Sequence, residues 1–222
     1  IKDSAWRISA TYVIDDNSDL NLQYENYEDN GKGWTNVLSC ELMKTRQGFT
    51  AKDRPVNTCT DILGSEDRYQ SYANTPGYNK MTMDSFRAIY KRQLDATTNL
   101  TVNYGYQELE QSSQFEIDGG INYQYGMAFN INRLLTESNV LDAYITGADE
   151  KWAWVGGIFS STEDNDMLAN FTAELNGHDF FWQPNRELNH YAVYGQATYA
   201  LRDDLFFTLG GRFSYDEKSD VG

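Results

Sequence analysis

The sequence predicts an all-β chain: an antiparallel meander of about eight strands, forming part of a transmembrane β-barrel wall. Three observations predict it. Apolar and polar residues alternate strictly over stretches of about ten positions, the period of a strand whose two faces meet different surroundings. Aromatics are abundant, with 16 Tyr, 11 Phe and 5 Trp among 222 residues, yet the chain carries a net charge of −15. The connections between alternating stretches are also unequal, with tight and long ones taking turns.

The first stretch, 5–14, places Trp6, Ile8, Ala10, Tyr12 and Ile14 on one side against Arg7, Ser9 and Thr11. Asp15-Asp16-Asn17-Ser18-Asp19 then reads as a turn, since Asp, Asn and Ser bond their own backbone. Leu20, Leu22 and Tyr24 resume the apolar side. Stretches 85–94 and 99–107 form the next pair, joined by Asp95-Ala96-Thr97-Thr98. They carry Phe86, Ala88, Tyr90 and Leu94, then Leu100, Val102, Tyr104 and Tyr106. Over 121–132, Ile121, Tyr123, Tyr125, Met127, Phe129 and Ile131 oppose a row rich in Asn and Gln. Residues 151–160 form a strand of open facing. The last hairpin, 191–215, turns at Arg202-Asp203-Asp204, with Val193, Tyr199, Leu201, Leu205, Phe207, Leu209 and Phe213 on one side. The links near 28–82, 108–120 and 163–188 are expected to be long. Alternation expects a short link over 134–149, and none is evident there.

Tight turns at one end and long loops at the other describe an outer-membrane barrel, with short periplasmic turns and long extracellular loops. A sandwich has no reason to sort loop length by end, and its strands need only about five or six residues. A tilted spanning strand needs about 9–11. Aromatic placement agrees. Closing the last hairpin between Leu201 and Leu205 sets Tyr199 opposite Phe207, and Tyr191 opposite Tyr215. The two pairs lie roughly 20 Å apart along a tilted strand, close to the separation of interfacial girdles. The odd face of 191–215 is therefore expected to meet lipid.

Several classes drop out. No run approaches the roughly 20 apolar residues of a membrane helix. The acidic balance argues against nucleic acid, which needs clustered Lys and Arg. Glu163-Asp164-Asn165-Asp166 lacks the glycine and distant Glu of a calcium loop. His178 and His190 have no partners at metal-ligand spacing. With no nucleophile elbow, phosphate loop or Cys/His pairing, neither an enzyme nor a cofactor is expected. Ile1-Lys2-Asp3-Ser4 is neither a start nor a signal peptide, so the chain is expected to be part of something longer. Cys40 and Cys59 share one polar region at a spacing that fits no zinc pattern. They are either free thiols or, as expected here, a loop disulfide in an oxidising compartment.

On these residues the sequence resembles a known family. "YAVYGQATYALRDDLFFTLGGRFSYDEKS" (191–219) resembles a wall hairpin of TonB-dependent outer-membrane receptors. "KWAWVGGIFSSTEDND" (151–166) resembles the strand and loop before that hairpin, and "ATYVIDDNSDLNLQYENYED" (10–29) an earlier one. The resemblance implies a barrel of about 22 strands closed by an N-terminal plug. It also implies active uptake of a scarce nutrient such as a ferric siderophore, energised by the inner-membrane TonB complex. Residues 1–222 would then be a partial barrel domain, without plug, TonB box or terminal strand. Its expected partners are the outer-membrane bilayer, TonB through the missing N-terminal region, and a small-molecule nutrient. The alternatives are a passive porin or adhesin barrel, and a soluble secreted carbohydrate-binding β-domain.

Ligand recognition is expected on loops held by the rigid wall. The candidates are Trp34, Tyr69 and Tyr72 around the cysteines, and Phe180, Phe181 and Trp182. Arg212 is expected to face the lumen, either touching a plug or an anionic ligand, or in a salt bridge with another wall residue. Trp152 and Trp154 are expected in an interfacial girdle.

Overall fold

The computed structural model describes residues 3–33, 75–116, 127–173 and 177–220. They form one eight-stranded antiparallel sheet in strict chain order. The strands are β1 (Asp3–Asp15), β2 (Ser18–Gly31), β3 (Tyr78–Gln93), β4 (Thr98–Glu116), β5 (Met127–Ala148), β6 (Trp152–Ala173), β7 (Gly177–Arg202) and β8 (Leu205–Ser219). Each strand pairs only with its chain neighbours, so the sheet is open, with β1 and β8 as its edges. The all-β meander expected from the alternation is the fold observed.

The tight turns sit together at one end because the strands form an antiparallel meander, and aspartate closes the first three of them. The Asp15 carboxylate accepts the Asn17 N–H at 2.9 Å and the Ser18 hydroxyl at 2.8 Å. Asp95 accepts the Thr97 N–H at 2.8 Å and its hydroxyl at 3.0 Å. Asp149 accepts the N–H groups of Lys151 and Trp152, both at 2.8 Å. Each carboxylate replaces a backbone carbonyl as the turn's acceptor, so the chain reverses without leaving donors bare. The N–H bond from Asn17, Thr97 or Lys151 holds the respective carboxyl below the usual aspartate value, because the donor favours the charged form. Neighbouring turns are stitched by backbone bonds, Gln93 N–H to Asn17 O, Ala148 N–H to Thr97 O and Ala200 N–H to Lys151 O.

The structure corrects three expected connections. Residues 134–148, expected as a link, belong to β5, and the turn follows at Asp149. That puts a tight turn where alternation expects one, but the β6–β7 link, 174–176, is three residues and not the long connection expected there. β4 continues to Glu116, so most of the link expected over 108–120 is strand. The loop expected over 163–188 is also mostly strand, since β6 runs to Ala173 and β7 starts at Gly177. These parts of β4–β7, the ends away from the tight turns and called the outer halves below, are too polar to show period-2 hydropathy, but their backbone still pairs. β5 and β6 span 22 residues each and β7 spans 26, about twice what a tilted membrane strand requires.

Register assigns the faces. One row runs Tyr12, Leu20, Tyr90, Val102, Ala143, Ile158, Val193, Phe213 across all eight strands. Directly opposed residues share a face, so this row is one continuous apolar band. One residue along each strand, the other face reads Thr11, Asn21, Ile89, Asn103, Asp142, Phe159, Ala192, Ser214, and beyond it Ser9, Gln23, Arg87, Gly105, Val140, Ser161, His190, Asp216. The last hairpin has the expected register, Tyr199 against Phe207 and Tyr191 against Tyr215, with a bulge at Leu201 beside the turn.

One facing is corrected. Phe129 and Ile131 do not continue the apolar face of β5, because β5 holds an extra residue at Asn132 relative to both β4 and β6. A one-residue bulge exchanges the two faces beyond it. Ile121, Tyr123 and Tyr125 lie outside the described residues.

The large apolar side chains build no interior. Among the described residues the buried apolar side chains are three alanines, Ala128, Ala169 and Ala192. Leu209 is 70 % and Phe213 74 % exposed. The described residues form a single sheet, with no second layer to bury such side chains.

Candidate functional site

The apolar face carries aromatics at both margins. Toward the tight turns, the Trp152 and Tyr199 rings lie 4.7 Å apart, and Phe207 pairs with Tyr199. Trp154 lies over Gly147, where a Cβ would come within 2.4 Å of the indole. The bare glycine leaves room for the ring. At the other margin, Trp6 and Tyr24 rings stand 5.2 Å apart and Phe86 and Tyr104 rings 6.5 Å apart. Tyr191 and Tyr215 continue this belt on β7 and β8. Trp152 and Trp154, of open facing in the sequence, fall on the apolar face.

The polar face holds a connected side-chain network centred on Arg212. Arg212 Nε donates to Ser214 Oγ at 3.0 Å, and its terminal nitrogen donates to His190 Nε2 at 3.0 Å. The guanidinium also lies 5.2 Å from the Phe159 ring centre and 5.9 Å from that of Tyr194, within cation–π range. Since Arg can only donate, His190 Nε2 must accept, which places the imidazole proton on Nδ1. That nitrogen bonds Asp216. Tyr194 donates its hydroxyl to Asp142 at 2.8 Å, and its ring fills the space over Gly157. Among the described residues no carboxylate forms a salt bridge with Arg212. Its partners are an imidazole, a hydroxyl and two rings. The sequence analysis missed this network, although hairpin register alone pairs Tyr194 with Arg212 and His190 with Asp216.

A second feature of the polar face is a hollow of about 600 Å³ over β2–β4. Gly105 forms its floor, with open space where a Cβ would stand, directly opposite Arg87. On its rim Arg7 donates to Glu25 at 2.9 and 3.2 Å. A glycine facing an arginine across a strand pair is the sequence signal for such a gap, but it needs the register to be seen.

Phe180, Phe181 and Trp182 lie on β7, not in the loop where the sequence placed them, and pair with Asn170, Ala169 and Leu168. They remain exposed, Phe180 at 69 % and Trp182 at 66 %. Just beyond, Pro184 and Asn185 bulge opposite Asp166, with Asn185 in the left-handed region at φ 53°. Asn tolerates that conformation better than branched residues do. Trp34, Tyr69, Tyr72 and the Cys40–Cys59 pair lie outside the described residues. Among the described residues no group of His, Cys, Asp and Glu is arranged to hold a metal ion.

No protein-family model matches this chain, and no curated protein matches it.

Proposed function

We propose that this sheet is part of the wall of an outer-membrane β-barrel, belonging to a receptor that takes up a scarce, bulky nutrient with energy from TonB. The observation that carries the membrane reading is the apolar row from Tyr12 to Phe213, unbroken across eight strands and flanked by aromatics at both margins. Between Tyr199 and Tyr191 the strand climbs roughly 20 Å, allowing for tilt, near the apolar band of barrel walls of about 25 Å. Closure of the sheet into a barrel would satisfy the open edges of β1 and β8. It would turn the Arg212 network and the Gly105 hollow toward a wet lumen.

The transport half of the proposal rests on the resemblance of 10–29, 151–166 and 191–219 to receptor wall hairpins. A plugged barrel has no open pore, so passage needs work from the inner membrane. Ligand capture is assigned to the outer halves of the long strands and their loops, where Phe180, Phe181 and Trp182 stand exposed.

The test is uptake by cells expressing the complete reading frame, with and without TonB, using radiolabelled ferric siderophores as probes. Accumulation that depends on TonB is the expected outcome. Passage of small sugars unaffected by TonB would replace this reading with a passive porin. Recovery of the protein in the soluble fraction, folded without detergent, would overturn the membrane reading itself.

A further inference from the structure

The hollow over Gly105 has the chemistry of a binding site. Arg87 projects from β3 beside a glycine, so no side chain stands across from it on β4. Among the described residues no carboxylate pairs with Arg87, whereas Arg7, the other cation of the hollow, is neutralised by Glu25 at 2.9 Å. The rim adds neutral amides from Gln23 and Gln107. The site therefore offers one uncompensated guanidinium among groups that bond hydroxyls and carbonyls equally well. Its volume of about 600 Å³ falls within the usual range for small-molecule sites of about 300–1,000 Å³, far more than one acidic side chain would fill.

We propose that this hollow binds a small polyhydroxylated monocarboxylate, a ligand of the sugar-acid class, with Arg87 as the cation that takes its carboxylate. One guanidinium grips one carboxylate through two parallel N–H bonds. A single net positive charge matches a monoanion better than a phosphate dianion, whose second charge would stay unpaired. Hydroxyls on the ligand would meet Gln23 and Gln107. The site depends on the polar face being wet, as in the proposed lumen, but not on TonB. Binding measured in detergent can therefore fail while transport stands, and the reverse.

The experiment is calorimetric titration of the complete detergent-solubilised protein with glucuronate, with glucose and inorganic phosphate as comparison probes. Glucuronate should bind, and glucose should bind at least tenfold more weakly, for want of the charge-assisted bonds. Arg87→Gln should weaken glucuronate at least tenfold, and Gly105→Leu should abolish binding by filling the floor. Lys91→Gln, on the same face outside the hollow, should leave affinity unchanged. Circular dichroism of each variant separates loss of the site from loss of the fold. Glucose binding as tightly as glucuronate, phosphate binding tighter, or a folded Arg87→Gln variant with full affinity would each overturn the proposal.

Discussion

From Trp152 to Ser160, β6 presents Trp152, Trp154, Gly156, Ile158 and Ser160 on one face and pairs with its neighbours without a slip. From Glu163 to Ala173 the same strand lies between two bulged partners, β5 at Asn132 and β7 at Pro184–Asn185. Its side chains there are tied by polar bonds. Thr136 donates to Asn165 at 2.6 Å, Asn165 donates to Glu163 at 2.7 Å, and Arg133 stands 3.7 Å from Asp166. The difference teaches where register is enforced. If the inner half meets lipid on one face, a bulge there would turn every following apolar side chain toward water, an expensive error. Where both faces meet water, a bulge costs only a ladder bond, so the outer half is free to use it to re-aim side chains.

The sharpest way to break that contrast is a charge on each face of one inner segment. Leu209→Arg should cost about 2–4 kcal/mol by placing a cation in the apolar band. Thr208→Arg should cost far less, because Thr208 sits on the polar face, 2.9 Å from the Thr198 hydroxyl. Heat-modifiable gel mobility of each variant reads both. Equal damage would remove the distinction between the faces.

Adjacent glycines test how tightly the inner half is packed. A Cβ on Gly157 would fall 2.6 Å from the Tyr194 ring and 2.7 Å from Tyr144 Cβ, while on Gly156 the nearest atom lies 3.9 Å away. Gly157→Val should therefore destabilise by about 1–3 kcal/mol and displace Tyr194 from Asp142. Gly156→Ala should be nearly silent. Thermal unfolding in detergent separates them, and a silent Gly157→Val would place the Tyr194 ring elsewhere.

In the outer half the equivalent test is the β7 bulge. Asn185 has φ 53°, so Asn185→Val should cost about 1–2 kcal/mol, whereas Asn185→Gly should be neutral or slightly stabilising. Limited proteolysis should show the loss confined to the outer halves of β6 and β7. Damage spreading to the inner half would deny the independence of the two regions.

The smallest effect belongs to the turns. Asp95 and Asp149 are held below the ordinary value of 3.8 by N–H bonds from Thr97 and Lys151. A depressed folded-state value means that each contributes stability above about pH 4, lost as pH falls through the folded-state value. Acid titration of unfolding should be shallower in Asp149→Asn than in the parent. An unchanged slope would show that the carboxylate charge does not matter there.

Much of this was legible in the residues. The meander and the face assignments of β1–β4 and of the last hairpin follow from alternation, because a strand with one apolar face must repeat every second residue. Two of the tight turns, at Asp15 and Asp95, follow from aspartate chemistry, and a third, at Asp149, carries the same residue but was hidden by a misplaced link. The outer halves of β5–β7 were not legible. A strand with both faces polar leaves no periodic trace, and so Phe180, Phe181 and Trp182 read as loop. What the sequence by itself determined is every feature set by neighbours along one strand or across one tight turn. What only the tertiary structure decided is the bulge at Asn132, the Phe159 ring of β6 beside Arg212 and the hollow beside Arg87. Each of these depends on which residues stand opposite one another across several strands, a register that no single strand encodes.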